Sequence, residues 1–190
     1  MKTDVITISN DGYGMEEAFS QAEKVAEYKK LAPKAALHLR LLTEEMLGMM
    51  RSITGERTGR FWIEDRTGTY ELHLQVETPM DYDKREKLLA ASKSGKNEAA
   101  KGIMGKIRTF FDPMDWVNAP VPVNVDGTNP VATWSINSYR NMVKHNLDEN
   151  MAGAAEAWDE LEKSVVSNLA DDVKVSINGR NVEMVILKQF

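Results

Sequence analysis

The chain has 190 residues, of which 42% are hydrophobic and 28% charged, and its formal net charge is −5 at pH 7. This length suits one domain, and the acidic balance argues against broad, phosphate-driven binding of DNA or RNA. The lack of cysteine excludes disulfides, thiolate metal sites and cysteine nucleophiles. No apolar run approaches the roughly 20 residues that span a bilayer, and the N-terminus lacks the features of a signal peptide. We therefore expect a cytoplasmic protein without membrane contact.

The N-terminal third is predicted to contain a strand and two helices. Residues 3–9 have the composition of a strand, and the segment 10–14 contains residues that end one. The first helix is expected over 15–31. The second is expected over 33–53, because Pro33 suits the first turn and apolar residues recur at helical spacing after it. The stripe of this second helix is Ala35, Leu39, Leu42, Met46, Met49 and Ile53.

Two adjacent glutamates of the second helix differ in their position relative to this stripe. Glu44 projects far from it, whereas Glu45 falls on its rim, one turn before Met49. A carboxylate on the rim is placed to line a cleft. The alternative interpretation is that both glutamates are ordinary solvated charges of a helix.

A period of two then predicts a hairpin with a turn at 66–69. The face expected to be buried consists of Phe61, Ile63, Tyr70, Leu72, Leu74 and Val76. His73 falls on the opposite, polar face. We expect it to face solvent.

Residues 83–111 are predicted to form two helices joined by a loop at 92–97. The loop sequence, Ser-Lys-Ser-Gly-Lys-Asn, can hold phosphate through backbone N–H groups and the ammonium group of Lys93 or Lys96. A flexible, solvated loop is the alternative. The next segment, 112–132, contains four of the six prolines and is predicted to be an ordered loop.

The C-terminal third is predicted to contain two helices, near 133–147 and 151–170, and a hairpin that turns at Asn178-Gly179. The apolar stripe of the second helix is Met151, Ala154, Trp158, Leu161, Val165 and Leu169. Four aromatic residues near these helices either anchor a protein partner or form a satellite core beneath the loop. They are Trp116, Trp134, Tyr139 and Trp158.

This order of elements is accounted for by an α+β fold. In such a two-layer sandwich, a roughly five-stranded, mostly antiparallel sheet carries its helices on one face. Together with the Thr-Glu-Glu sequence at 43–45, the order resembles the histidine-kinase-like ATPase (GHKL) fold, and most of all the anti-sigma-factor serine kinases. The resemblance implies a single domain with a core of residues 1–111 and 171–190 and a loop-plus-helical insertion at 112–170.

The resemblance also implies a nucleotide site. In that family, a Glu on the second helix positions or activates a nucleophile, and an Asn four residues later helps to hold Mg²⁺. Glu45 matches the catalytic Glu, but Met49 stands in place of the Asn, and a thioether is a poor ligand for a hard cation. Residues 77–81 replace the adenine-reading Asp-x-Gly-x-Gly motif. The partly kept glycine-rich lid supplies the nucleotide-binding candidates Lys93, Ser94, Gly95, Lys96, Asn97, Gly102 and Gly105.

The function that this resemblance implies is a bacterial regulator, similar to an anti-sigma factor or serine kinase, that binds ATP or ADP without efficient kinase activity. Its partner would be a sigma-factor-like protein, an antagonist or a second copy of the chain. The alternative is a non-catalytic protein-interaction module on a degenerate ATPase scaffold. A metal enzyme is not expected, because His38, His73 and His145 lie on separate elements without metal-binding spacing.

Overall fold

The alternating segments of the sequence form one antiparallel sheet. In a computed structural model of the protein, the described residues are 1–54, 58–77, 131–178 and 181–190. The described strands are β1 (Ile6–Ser9), β2 (Thr58–Arg66), β3 (Thr69–Glu77), β4 (Val131–Ser135), β5 (Asp172–Asn178) and β6 (Asn181–Gln189). They form a six-stranded sheet in the order β1-β2-β3-β6-β5-β4, and every neighbouring pair is antiparallel.

Helices form the second layer, and their buried side chains join those of the sheet in one hydrophobic core. The described helices are α1 (Met15–Tyr28), α2 (Pro33–Thr54), α3 (Ile136–Asp148), α4 (Ala154–Lys163) and α5 (Val165–Leu169). The two-layer α+β sandwich predicted from the sequence is therefore confirmed, with six strands where five are expected. None of these described helices combines the length and apolarity needed to cross a membrane.

Helix α2 is the central helix of its layer, since it packs against α1, α5 and strands β3 and β6. Leu39, Leu42 and Met46 of the predicted stripe are completely buried. Leu47 and Met50 are buried as well, because α2 contacts neighbours on more than one side. The central part of the predicted stripe, Leu39 to Met49, is therefore confirmed, and the buried surface of α2 is wider than that stripe.

The start of α1 depends on a close approach of its first turn to β1. Gly14 caps the helix with φ +73, a left-handed conformation that favours glycine. A Cβ at this position would lie 2.1 Å from the carbonyl oxygen of Thr7 in β1. Glycine therefore serves both the backbone conformation and the contact between the strand and the helix.

Strand β4 was not predicted, because the sequence places a loop up to residue 132 and a helix from 133. The segment instead pairs with β5, with Val131 opposite Asn178 and Ser135 opposite Lys174. The helix begins only after Ser135, whose Oγ accepts a hydrogen bond of 3.2 Å from the N–H of Ser138. This cap fixes the helix start.

The predicted helix over 151–170 is likewise wrong in one respect: it is two helices, α4 and α5, separated at Ser164. Ser164 has an extended backbone (φ −79, ψ 124), and its Oγ accepts a hydrogen bond from the N–H of Ser167. The break restarts the helical phase. Val166 is consequently buried, whereas Val165, placed on the stripe by an unbroken helix, is exposed.

One end of the sheet holds the attachment points of the segments outside the described residues. Glu77, the last residue of β3, pairs with Asn181, and Val131, the first residue of β4, pairs with Asn178. Asn178 and Asn181 also pair with each other at the β5–β6 turn. Segment 78–130 therefore leaves and rejoins the sheet at the same end.

Candidate functional site

Glu45 lies on α2 in the position that the helical pattern predicts. Its side chain is half-buried, while the neighbouring Glu44 is exposed. No described residue forms a hydrogen bond or an ion pair with its carboxylate. Thr54 ends α2, so Glu45 lies about 14 Å along the helix from its C-terminal end.

Met49, one turn after Glu45, is 2% exposed and belongs to the hydrophobic core. The resemblance assigns this position to a ligand of Mg²⁺. A buried thioether offers no hard oxygen, and the apolar surroundings disfavour a small, strongly hydrated ion. The described residues around Glu45 therefore do not fit Mg²⁺.

The predicted nucleotide-binding residues lie outside the described part of the chain. This applies to Lys93, Ser94, Gly95, Lys96, Asn97, Gly102 and Gly105, and also to Trp116. The other three aromatic residues pack against the hydrophobic core. Tyr139 is buried within it, and Trp134 and Trp158 lie half-buried against it.

A groove of about 390 Å³ lies between α1 and α2. Its floor includes Ala26 and Leu31, and its rim carries the ion pair between Glu23 and Arg40. Glu45 does not line it. The groove is thus separate from the position that the resemblance assigns to the nucleotide.

A cluster of polar and aromatic side chains, which the sequence did not predict as a site, lies on the face of the sheet opposite the helices. In the register of the β2–β3 hairpin, Trp62 is opposite His73, and Glu64 is opposite Glu71. The rings of Trp62 and His73 stack in parallel, with centroids 4.7 Å apart and planes 5° apart. Glu183 of β6 contacts His73 from the other side. We call these five residues the outer-sheet cluster.

The expectation that His73 faces solvent is wrong. His73 is only 7% exposed, because Trp62 covers its ring and two glutamates flank it. Its Nδ1 lies 3.1 Å from Glu183 Oε1 at hydrogen-bonding geometry. Its Nε2 lies 3.3 Å from Glu71 Oε2, yet it has no hydrogen-bond partner among the described residues.

Nearby cations and hydrogen-bond donors stabilise the charge of Glu64. The indole N–H of Trp62 donates a hydrogen bond of 2.9 Å to it, and the Lys2 ammonium lies 3.2 Å away. These two groups, first Trp62 and then Lys2, lower the pKa of Glu64 to about 2. Arg66 lies between the two carboxylates, 3.2 Å from Glu64 and 3.2 Å from Glu71.

The proximity of four of these five residues could have been predicted from the sequence. The predicted turn at 66–69 fixes the register of the hairpin, and that register brings Glu64 opposite Glu71 and Trp62 opposite His73. The contact with Glu183 could not be predicted in this way, because Glu183 lies 110 residues beyond His73 in the chain.

Comparisons with known proteins add no family to this description. No protein-family model matches the chain, and a search of curated proteins found no match.

Proposed function

We propose that the chain is a nucleotide-binding regulatory domain, similar to bacterial anti-sigma factors and serine kinases, that binds ATP or ADP without efficient phosphoryl transfer. The observation that carries the proposal is Glu45, a half-buried carboxylate on the central helix without a described partner. It accompanies an element order that resembles the GHKL fold, with a helix pair after β1 and hairpins at 58–77 and 172–189.

The phosphate groups would be held by the segment 92–97, through its backbone N–H groups and the ammonium groups of Lys93 and Lys96. This segment belongs to 78–130, which is attached at the end of the sheet beside the β5–β6 turn. The proposal therefore requires it to reach back along α2 to Glu45.

Phosphoryl transfer depends chiefly on positioning and on metal ions that neutralise developing charge. Because Met49 is buried and offers no hard oxygen, we expect the nucleotide to bind independently of Mg²⁺ and to persist unhydrolysed. A domain of this kind acts through the state of the bound nucleotide, in a complex with a sigma-factor-like protein or an antagonist.

Isothermal titration calorimetry tests the proposal with ATP and ADP, with and without Mg²⁺. Lys96→Ala should weaken binding about tenfold, since it removes one charge-assisted contact worth about 1.4 kcal/mol. Lys144→Ala serves as the charge-matched control, because Lys144 is exposed on α3. Glu45→Ala should change the ratio of ATP to ADP affinity, and the exposed Glu44→Ala should not. Equal weakening by Lys96→Ala and Lys144→Ala would contradict the proposal.

A second candidate is a protein-interaction module that keeps the scaffold and binds no nucleotide. Exposed apolar side chains favour it: Met142, Leu147 and Met151 are 41%, 36% and 57% exposed in the second half of α3 and after its end. Sedimentation equilibrium of the wild type and of Met142→Lys tests the homodimeric form of this candidate. A dimer that the variant dissociates would support it, and a monomer at all concentrations would contradict it.

A further inference from the structure

We propose that the outer-sheet cluster is a binding site for a divalent transition metal ion of the Zn²⁺ type, with Glu64, Glu71 and His73 as its ligands. The site lies on the sheet face opposite α2, so it is independent of the proposed nucleotide site.

The three residues bring one ligand atom each into a small volume. These atoms, two carboxylate oxygens and a ring nitrogen, all lie within 4.8 Å of one another. Bond lengths of about 2.1 Å to Zn²⁺ place tetrahedral ligands about 3.4 Å apart. Side-chain rotations that shorten the longest of these separations by up to about 1.4 Å would bring all three ligand atoms to bonding distance of one ion. Ligands on two paired strands, in a fixed register, are well suited to this small adjustment.

The surroundings of His73 point to a ligand at its Nε2. An ionised carboxylate only accepts hydrogen bonds, so in the neutral imidazole the contact with Glu183 places the proton on Nδ1 and leaves a lone pair on Nε2. In that tautomer, Nε2 and Glu71 Oε2 are two acceptors that face each other across 3.3 Å. The side chain is more than nine-tenths buried, and Nε2 lacks a hydrogen-bond partner among the described residues. A cation between the two atoms would satisfy both.

Glu183 has the position of an outer partner in such a site. Histidines that bind metal ions commonly donate their other ring N–H to a carboxylate, which fixes the tautomer and orients the ring. Trp62, whose ring stacks on one face of the imidazole, restricts the rotation of that ring further. The imidazole is therefore already oriented with Nε2 towards the carboxylates.

The two carboxylates need positive charge, because like charges directly opposite each other on neighbouring strands are destabilising. Arg66 and Lys2 currently supply it, and their side chains are 64% and 54% exposed. Exposed ion pairs are weak, and both side chains are long enough to swing into solvent. A divalent ion can therefore displace them, and its charge balances that of the two glutamates.

The donor set indicates the class of ion. One imidazole and two carboxylates suit Zn²⁺ and its neighbours among the divalent transition metals, whereas Mg²⁺ and Ca²⁺ prefer oxygen ligands alone. Three protein ligands leave a coordination position for water.

Titration of the nucleotide-free protein with Zn²⁺, followed by calorimetry, tests this site. We expect one equivalent to bind, at least hundredfold more weakly in His73→Ala and about 10–100-fold more weakly in Glu183→Gln. His145→Ala is the matched control, since His145 is exposed on α3, and it should bind like the wild type. Equal affinities for the wild type and His73→Ala would overturn the proposal.

Two measurements keep the test independent of the folding of His73→Ala. Glu64→Gln, a conservative change, should weaken Zn²⁺ binding and reduce the visible absorption of bound Co²⁺. In the wild type, NMR signals of the His73 ring should shift on addition of Zn²⁺. If the NMR signals show a proton on both ring nitrogens and do not shift on addition of Zn²⁺, His73 is an imidazolium held between Glu71 and Glu183. The proposal is then wrong.

Discussion

Replacement of Gly14 by alanine should destabilise the protein far more than the same change at a matched glycine. Gly14 and Gly153 both cap a helix N-terminus in the left-handed conformation, with φ +73 and φ +81. A Cβ on Gly14 would lie 2.1 Å from the carbonyl oxygen of Thr7, whereas a Cβ on Gly153 would have nothing within 4 Å. The pair therefore separates backbone strain from the steric overlap with β1.

The magnitudes follow from these two contributions. A left-handed alanine costs about 1–2 kcal/mol, and this is the whole effect expected for Gly153→Ala. Real contacts stay beyond 3.0 Å, so Gly14→Ala must move α1 away from β1 by most of an ångström. Overpacking of that kind costs about 1–3 kcal/mol more. The expected total for Gly14→Ala is about 2–5 kcal/mol, a large part of the stability of a domain.

Urea denaturation followed by circular dichroism measures both free energies of unfolding. The m-values should agree with that of the wild type, so that the shift in midpoint reports stability alone. Equal losses in the two variants would refute the reasoning, because the contact with Thr7 would then contribute nothing.

Three further predictions concern the core, a helix cap and the dependence on pH. In thermal or urea denaturation, Leu42→Ala should lower the free energy of unfolding by about 2–5 kcal/mol, because Leu42 is fully buried. Leu37→Ala should change it little, because Leu37 is 55% exposed. Ser135→Ala should cost about 1 kcal/mol, because the start of α3 loses its cap; an unchanged midpoint would count against this. The Lys29 ammonium lowers the pKa of Asp65 in the folded protein. The ion pair therefore stabilises the fold fully above the unfolded pKa of about 3.9, and this stabilisation is lost as the pH falls through the lower, folded pKa. Asp65→Asn should reduce the acid sensitivity of the urea midpoint, and an identical pH profile would contradict this assignment.

The sequence predicted the elements whose periodicity is unbroken. The hairpin β2–β3 and the helix α2 follow from regular spacing, and their observed bounds lie close to the predicted ones. The elements it missed depend on single serines. Ser135 delays the start of α3 and frees residues for β4, and Ser164 divides the last long helix in two. A hydroxyl that caps a helix does not disturb an apolar stripe, so periodicity alone does not reveal it.

The burial of His73 shows a different limit of the sequence. Alternation correctly assigned it to the face opposite the helices, but a position on that face does not fix exposure. Trp62 covers the ring, and Glu183 reaches it from a strand far along the chain. Such burial depends on the size of cross-strand neighbours and on the order of strands in the sheet. By contrast, the position of Glu45 on the rim of the apolar stripe needed only the pattern of one helix, and its side chain is half-buried there.

The nucleotide-binding proposal is tested most directly by calorimetric titration of the wild-type protein with ATP in the presence of a chelator that removes divalent ions. We predict saturable binding of one nucleotide per chain without Mg²⁺, because Met49, in the position that the resemblance assigns to a Mg²⁺ ligand, is buried and offers no hard oxygen. Absence of heat at millimolar ATP, both with the chelator and with Mg²⁺, would contradict it.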